Sequence, residues 1–132
     1  MKNVTDELSF LVKPSKVPGA GVGVFATHDI AAGTKLDLWT KDEVDRFLDE
    51  KDVPPAFQSF CIAQENGKLH CPGAFNRMCI CWYLNHSDKP NAKCGEDLVY
   101  VAIRDIREGE EILIDYNDLN EPEDKKESYY KK

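Results

Sequence analysis

The stretch Trp82-Tyr83-Leu84-Asn85-His86-Ser87-Asp88-Lys89-Pro90-Asn91 decides how the rest of the chain is read. An apolar run, Met78 to Leu84, stops at side chains that favour irregular backbone. Asn85, Ser87, Asp88 and Asn91 can each bond nearby main-chain groups, and Pro90 drives Lys89 out of the helical region. A turn needs far less than this. Asparagine beside histidine, directly after a buried-looking segment, sets strong donors and acceptors at the edge of a core. Taken alone, the plain reading is a well-satisfied loop. A second stretch raises the functional reading: Gly109-Glu110-Glu111-Ile112-Leu113-Ile114-Asp115-Tyr116.

The chain has 132 residues, enough for one domain with one core. With 42% hydrophobic and 10% aromatic residues it has ordinary globular composition. A net charge of −7 and a pI near 4.9 argue against a nucleic-acid binder, which needs a basic footprint. An acidic surface suits basic partners such as lysine-rich protein tails, though it also serves plain solubility. No secretory pattern opens the chain, and no apolar run approaches the roughly 20 residues that span a bilayer. A soluble intracellular protein is expected, cytoplasmic in a bacterium and with a nuclear setting open in a eukaryote or virus.

The five cysteines, Cys61, Cys71, Cys79, Cys81 and Cys94, form no evident disulfide framework. Cys79 and Cys81 share a face of an expected strand, and His70-Cys71 lies near. Zinc is conceivable, but there is no Cys-x-x-Cys pair and the spacing fits no common site. Buried reduced thiols are the better reading, with no metal expected.

In chain order, residues 8–12 read as a strand. Pro14, Pro18, Gly19, Gly21 and Gly23 then make a tight loop before a strand at 24–26. Strictly alternating glycines exclude the dinucleotide fingerprint but let a ligand lie against main-chain groups. Residues 27–36 and 103–112 share Asp-Ile-x-x-Gly-x-x-Leu/Ile, which predicts a β-fold with internal pseudo-symmetry. Thr40-Lys41-Asp42-Glu43 is a capping box, and Val44, Phe47 and Leu48 follow at helical spacing until Pro54-Pro55, predicting one helix. Strands are expected at 57–63 and 68–71 around Asn66-Gly67, at 98–103, and at 112–116 with Ile112, Ile114 and Tyr116 on one face. The tail, 118–132, is charged and anchored only by Leu119, Tyr129 and Tyr130. Disorder is its default, yet the two tyrosines could dock it. The fold class is mostly β, with one short helix.

Three features stand in one order: a glycine-alternating loop entering a strand, Asn-His-Ser-x-x-Pro-Asn, and Gly-Glu-Glu-x-x-x-Asp-Tyr. Together they resemble the SET-domain family of protein-lysine methyltransferases. Gly21-Val22-Gly23-Val24-Phe25-Ala26 is similar to its first motif, Asn85-His86-Ser87 with Pro90-Asn91 to its signature loop, and residues 109–116 to its last. The resemblance implies a SET domain over 1–117, built of several small curved sheets, in which the last motif threads beneath the Asn-His loop as a C-terminal pseudoknot.

The resemblance also implies S-adenosylmethionine as methyl donor and a lysine-bearing basic segment of a protein as acceptor. Histone-like proteins, ribosomal proteins and translation factors all offer such segments. No direct nucleic-acid or membrane partner is implied, and oligomeric state is unread. Tyr116 takes the place of the catalytic tyrosine; from the residues alone it is a core-edge tyrosine capping Ile112 and Ile114. The carbonyls of Trp82 and Leu84 match positions that face the methyl group. Gly21, Val22, Gly23, Asn85 and the His86 main chain match cofactor-binding positions, while the His86 imidazole is assigned to holding the pseudoknot. Ile114 and Tyr83 match the lysine channel, and Ile114, lacking a hydroxyl, predicts transfer of more than one methyl.

Two departures stand out. Trp82 occupies a place where many relatives have arginine, and no cysteine follows Cys94, so the zinc segment found after the last motif in many relatives is missing. The tail is therefore expected to close the site, with Tyr129 or Tyr130 on the cofactor or the channel. Two other readings stay open: a SET-like interaction module without catalysis, and a small cysteine-bearing zinc domain.

Overall fold

The computed structural model describes residues 3–39 and 44–131. In chain order its elements are β1 (Phe10–Pro14), β2 (Val22–Ala26), β3 (Lys35–Leu36), β4 (Arg46–Asp49), α1 (Pro55–Gln58), β5 (Ile62–Ala63), β6 (Lys68–Cys71), β7 (Asn85–His86), β8 (Ala92–Cys94), β9 (Tyr100–Ala102) and β10 (Leu113–Ile114). Short 3₁₀ turns link them, including Ile80–Tyr83 and Tyr116–Leu119. The strands form four small sheets: β1-β2, β3-β9-β8 and β4-β6-β5, all antiparallel, and β7-β10, parallel.

The repeated sequence unit folds as a two-fold pair. Ile30 and Ile106 exchange both main-chain bonds, at 2.7 and 2.9 Å, and both are fully buried. Gly33 N–H bonds the Ala102 carbonyl at 2.8 Å, and Gly109 N–H bonds the Ala26 carbonyl at 2.9 Å. Both glycines have φ of +87°, a left-handed turn that disfavours a side chain. Asp105 accepts from Ala32 N–H as Asp29 accepts from Glu108 N–H. Each copy thus uses its Asp and Gly to tie itself to the other, which pins β2 and β9 on either side of the core.

The helix expected from Val44, Phe47 and Leu48 is instead β4. It pairs antiparallel with β6, Phe47 opposite His70 and Leu48 opposite Leu69. The three apolar side chains do not form one stripe: Leu48 packs on a cluster of Val53, Ala63, Leu69 and Cys71, while Val44 and Phe47 stay exposed. So short an apolar set fits either period, and the paired β6 decides for the strand. The capping box at 40–43 lies outside the described residues. Helix α1 begins at Pro55, whose missing N–H and fixed φ suit a first helical turn, so Pro54-Pro55 opens a helix. That turn takes the first part of the strand expected at 57–63, leaving β5 only two residues. The strand expected to carry Cys79 and Cys81 is the 3₁₀ turn Ile80–Tyr83, both thiols being buried in the main core.

Candidate functional site

The polar loop after Leu84 is consumed in holding the last motif. β10 runs parallel to β7, Leu113 opposite Asn85 and Ile114 opposite His86. Ser87 N–H bonds the Ile114 carbonyl at 2.9 Å, and Asn91 N–H bonds the Leu113 carbonyl at 3.1 Å. The Asn91 side chain, 1% exposed, donates to the Glu111 carbonyl at 2.8 Å and accepts from Leu113 N–H at 2.8 Å. An asparagine amide carries a donor and an acceptor side by side on a short stem, so it completes a backbone ladder where no strand is available. This is the pseudoknot.

It delivers Tyr116 to Leu84. The Tyr116 hydroxyl donates to the Leu84 carbonyl at 2.6 Å, across more than thirty residues of sequence. Leu84 leaves the preceding 3₁₀ turn with extended backbone. Tyr116 N–H donates to His86 Nδ1 at 3.0 Å, so that nitrogen carries no proton, and Nε2 faces Asp88 Oδ1 at 3.1 Å. Both imidazole nitrogens are thus committed to local structure. The rings of His86, Tyr116, Tyr129 and Tyr130 form one cluster, with centroids 4.9–6.2 Å apart. Burial, and then the neighbouring Tyr129 and Tyr130, push the Tyr116 phenol far above its ordinary value. It is therefore protonated at neutral pH and holds its hydrogen bond to Leu84 as a donor.

Asn85 works on the other side of β7. Its Nδ2 donates to the Val22 carbonyl at 2.9 Å and to Glu111 Oε2 at 3.0 Å. Glu111 is 5% exposed and also accepts from Ser15 Oγ at 2.7 Å and from Lys16 N–H at 2.9 Å. Gly23 lies directly against it, since a Cβ there would overlap the Glu111 carboxylate. At Gly19 and Gly21, by contrast, a Cβ would meet nothing within 4 Å. The glycine loop is gripped from inside and open on its outer side.

A pocket of about 320 Å³ opens beside Tyr116. Its inner wall is Trp39, Cys81, Trp82, Leu84, Tyr100, Ile114 and Tyr116. Trp39 is fixed by its Nε1–H on the Leu98 carbonyl at 2.9 Å and meets Trp82 edge to face at 5.9 Å. Phe60, Ile62, Ala63 and Leu69 form a second wall, and the tail a third, through Glu121, Lys125, Glu127, Tyr129 and Tyr130. The tail is tied down at several points. Asn117 Nδ2 bonds the Tyr130 carbonyl at 2.8 Å, Lys126 bonds Asn117 Oδ1 at 2.9 Å, and Tyr130 donates to Glu121, whose other oxygen caps Ala63 N–H of β5 at 3.0 Å. Tyr130 is buried and Tyr129 is exposed. Burial, then Glu127 and Glu121, raise the Tyr129 phenol to about 12.

Of the residues singled out from sequence, Trp82, Leu84, Ile114, Tyr116, Tyr129 and Tyr130 line this pocket. Val22, Gly23 and Asn85 meet at Glu111, away from it. Gly21 stands on the loop that Glu111 grips, with open space where a side chain would be. Tyr83 is not among the lining residues; its ring packs on Phe60 at 6.2 Å. Sequence reasoning passed over Glu111, Trp39, Tyr100 and Glu121. Only Glu111 carried a signal, an acid set directly before the buried strand residues Ile112 to Ile114. Among the described residues no cluster of His, Cys, Asp and Glu suits a metal ion, and no helix is long and apolar enough to cross a membrane.

Small curved sheets closed by a pseudoknot that carries an Asn-His pair and a tyrosine define a class of fold, the SET type. A family model described as SET domain matches residues 21–117, and the chain belongs to the SET-domain family. In structure it is similar to the methyltransferase domain of human PR domain-containing protein 2, with 21% identity, a TM-score of 0.55, and 80% of this chain and 75% of that one covered. It is similar to a chain of ctPRC2 solved in an autoinhibited conformation bound to S-adenosylmethionine, with 20% identity, a TM-score of 0.60, and 83% of this chain covered but 15% of that one. A humanized mutant of Chaetomium thermophilum Polycomb Repressive Complex 2, bound to an inhibitor, matches at 23% identity and a TM-score of 0.61, over 83% of this chain and 15% of that one. At such identities the likeness is one of fold. No curated protein sequence matches the chain.

Proposed function

We propose that the protein transfers methyl groups from S-adenosylmethionine to the side-chain amine of lysine in a basic segment of a protein substrate. The observation that carries this reading is the Tyr116 hydroxyl on the Leu84 carbonyl at 2.6 Å, in the wall of a pocket of about 320 Å³ rich in aromatic side chains. The donor supplies an electrophilic methyl carbon on a sulfonium sulfur. The residues present suit it: space is open where a side chain would stand at Gly21, Asn85 adjoins Val22, and two oxygens, of Leu84 and Tyr116, stand where a cation or polarised methyl gains from negative partial charge. Gly23, the His86 main chain and the Trp82 carbonyl complete the surface assigned to the donor and its methyl. Tyr130 and the exposed Tyr129 stand beside His86 as a lid of aromatic surface.

The chain's own contribution is to handle the lysine. Glu121 and Glu127 border the pocket and attract an ammonium group, while Glu50 is already paired there with Lys125 at 3.2 Å. Further in, Trp82, Leu84, Tyr100 and Ile114 offer no carboxylate, so desolvation lowers an amine pKa that is ordinarily near 10.4. The neutral amine then donates an N–H to the Tyr116 hydroxyl oxygen, whose own proton stays on the Leu84 carbonyl, and this leaves the nitrogen lone pair free for the methyl carbon. Alignment of this kind contributes up to roughly 7–11 kcal/mol in well-oriented systems. Ile114, with no hydroxyl to hold water against the amine, leaves room for a second methyl. Histone-like and ribosomal proteins and translation factors are the substrates of suitable chemistry.

The test combines calorimetry with S-adenosylmethionine and methyl incorporation into basic proteins, read by mass spectrometry. Tyr116→Phe is expected to keep S-adenosylmethionine affinity and lose turnover by about 10²-fold, the scale of one positioned hydrogen-bonding group. Unchanged turnover in a folded Tyr116→Phe protein would remove the residue from the mechanism. Donor binding with no incorporation into any basic protein would assign the chain to the interaction-module reading instead.

A further inference from the structure

We infer that Glu111 is a positioning residue of the methyl-donor site, holding the 15–23 glycine loop and Asn85 in one rigid arrangement. The inference rests on the function proposed above and adds to it a residue that never touches the donor.

The loop's own bonds are local: Ser15 N–H to the Gly21 carbonyl at 2.8 Å, Ala20 N–H to the Val17 carbonyl at 3.1 Å, and Val17 N–H to Ser15 Oγ at 3.0 Å. These shape it but do not tie it to the core. Glu111 does so, because one carboxylate accepts from a loop hydroxyl, a loop amide and the Asn85 amide together. Three donors converging on a buried carboxylate make charge-assisted bonds, stronger than neutral ones, and offset the cost of burying the charge. The carboxylate lies against Gly23 where a side chain would otherwise sit, so the two positions specify each other. Glu111 is itself placed by the bridge to Phe25 and by Asn91 on its carbonyl. The pseudoknot therefore orients the tyrosine from one end of the last motif and the donor loop from the other.

Glutamine is the sharp substitution. It is nearly isosteric, but one of its two groups becomes a donor and must face a donor on Lys16 or Asn85. We expect Glu111→Gln to raise the calorimetric Kd for S-adenosylmethionine and its KM about tenfold or more. The KM for a lysine peptide and kcat at saturating donor should change less than about twofold. Amide exchange at Lys16, measured with no donor present, should speed up about tenfold while exchange in β9 stays unchanged. Ser15→Ala, on an exposed loop and safe for folding, should shift donor Kd in the same direction by less, and its effect should largely vanish in the Glu111→Gln background.

Wild-type donor affinity and wild-type exchange at Lys16 in Glu111→Gln would overturn the inference. So would equal losses in donor affinity, peptide KM and thermal stability, which mark a general structural role. Wild-type protein that binds no donor refutes the proposed function instead, and exchange at Lys16 then decides by itself whether Glu111 holds the loop.

Discussion

Replacing Asn91 by alanine removes the closure of the pseudoknot, and its cost can be worked from the structure. The side chain is 1% exposed and serves two main-chain groups, the Glu111 carbonyl and the Leu113 N–H, each at 2.8 Å. A buried polar group left without a partner costs about 1–3 kcal/mol, so two cost roughly 2–6 kcal/mol. Water entering the vacated space would recover part of that, which favours the lower half of the range. Domains have about 5–15 kcal/mol of stability in all, so the variant should fold but only marginally. For a chain of this size the melting temperature should fall by roughly 6–12 °C. The assay is urea unfolding followed by circular dichroism, comparing midpoints at constant m-value. A loss below about 1 kcal/mol would refute the reasoning, because one surface turn is worth that much. Asn91→Asp sharpens the test. It keeps the acceptor for Leu113 N–H but turns an acceptor toward the Glu111 carbonyl, with Glu110 Oε2 also 3.5 Å from the Nδ2 position. Its folded-state pKa is therefore raised, and the defect should shrink as the pH falls and the new carboxyl protonates.

Two further outcomes follow from titrating groups elsewhere. At Glu110 partial burial disfavours the charge, but the Arg107 N–H and the Arg104 guanidinium outweigh it and hold the carboxyl below its ordinary value. A depressed folded pKa gives stability that is complete above the unfolded value, about 4.3, and is lost as the pH falls through the folded one. Glu110→Gln should thus be less stable than wild type by under about 1 kcal/mol at pH 7, and the gap should close below pH 4 in acid titrations of unfolding. A gap that persists at pH 3 would exclude the charge as its source. At Cys61, burial and then the facing Cys71 push the thiol up to about 12. The two sulfurs lie 3.3 Å apart, joined by a thiol hydrogen bond. Since the thiolate is the nucleophile, iodoacetamide at pH 8 should label Cys61 far more slowly in native than in unfolded protein. Equal rates by mass spectrometry would contradict the shielding.

Local chemistry was legible wherever a residue's role is settled by its neighbours in sequence. The Asp-Ile-x-x-Gly units, the Asn66-Gly67 turn and the polar loop at 87–91 all carry their conformation in their residue types, and the structure places turns or irregular backbone there. The ordered motifs made the SET family and its pseudoknot readable from the chain alone. Val44, Phe47 and Leu48 were not readable in that way, because a short apolar set is compatible with two periods until β6 supplies hydrogen-bond partners. The same holds for the 3₁₀ turn at Ile80–Tyr83, where Cys81 is buried and Ile80, Trp82 and Tyr83 pack partly buried against the main core.

The candidate site divides similarly. Sequence alone named Asn85, His86 and Tyr116 as residues that belong together, but it had no means of measuring what stands between them. Tertiary structure decided that Tyr116 reaches Leu84 and that Glu111 reaches back across most of the chain to Ser15 and Lys16. It also placed the charged tail, through Asn117, Glu121 and Lys126, as one wall of the pocket. The reason is physical: a motif encodes which groups can donate and accept, whereas a carboxylate or a phenol becomes specific only when distant backbone is brought within about 3 Å of it.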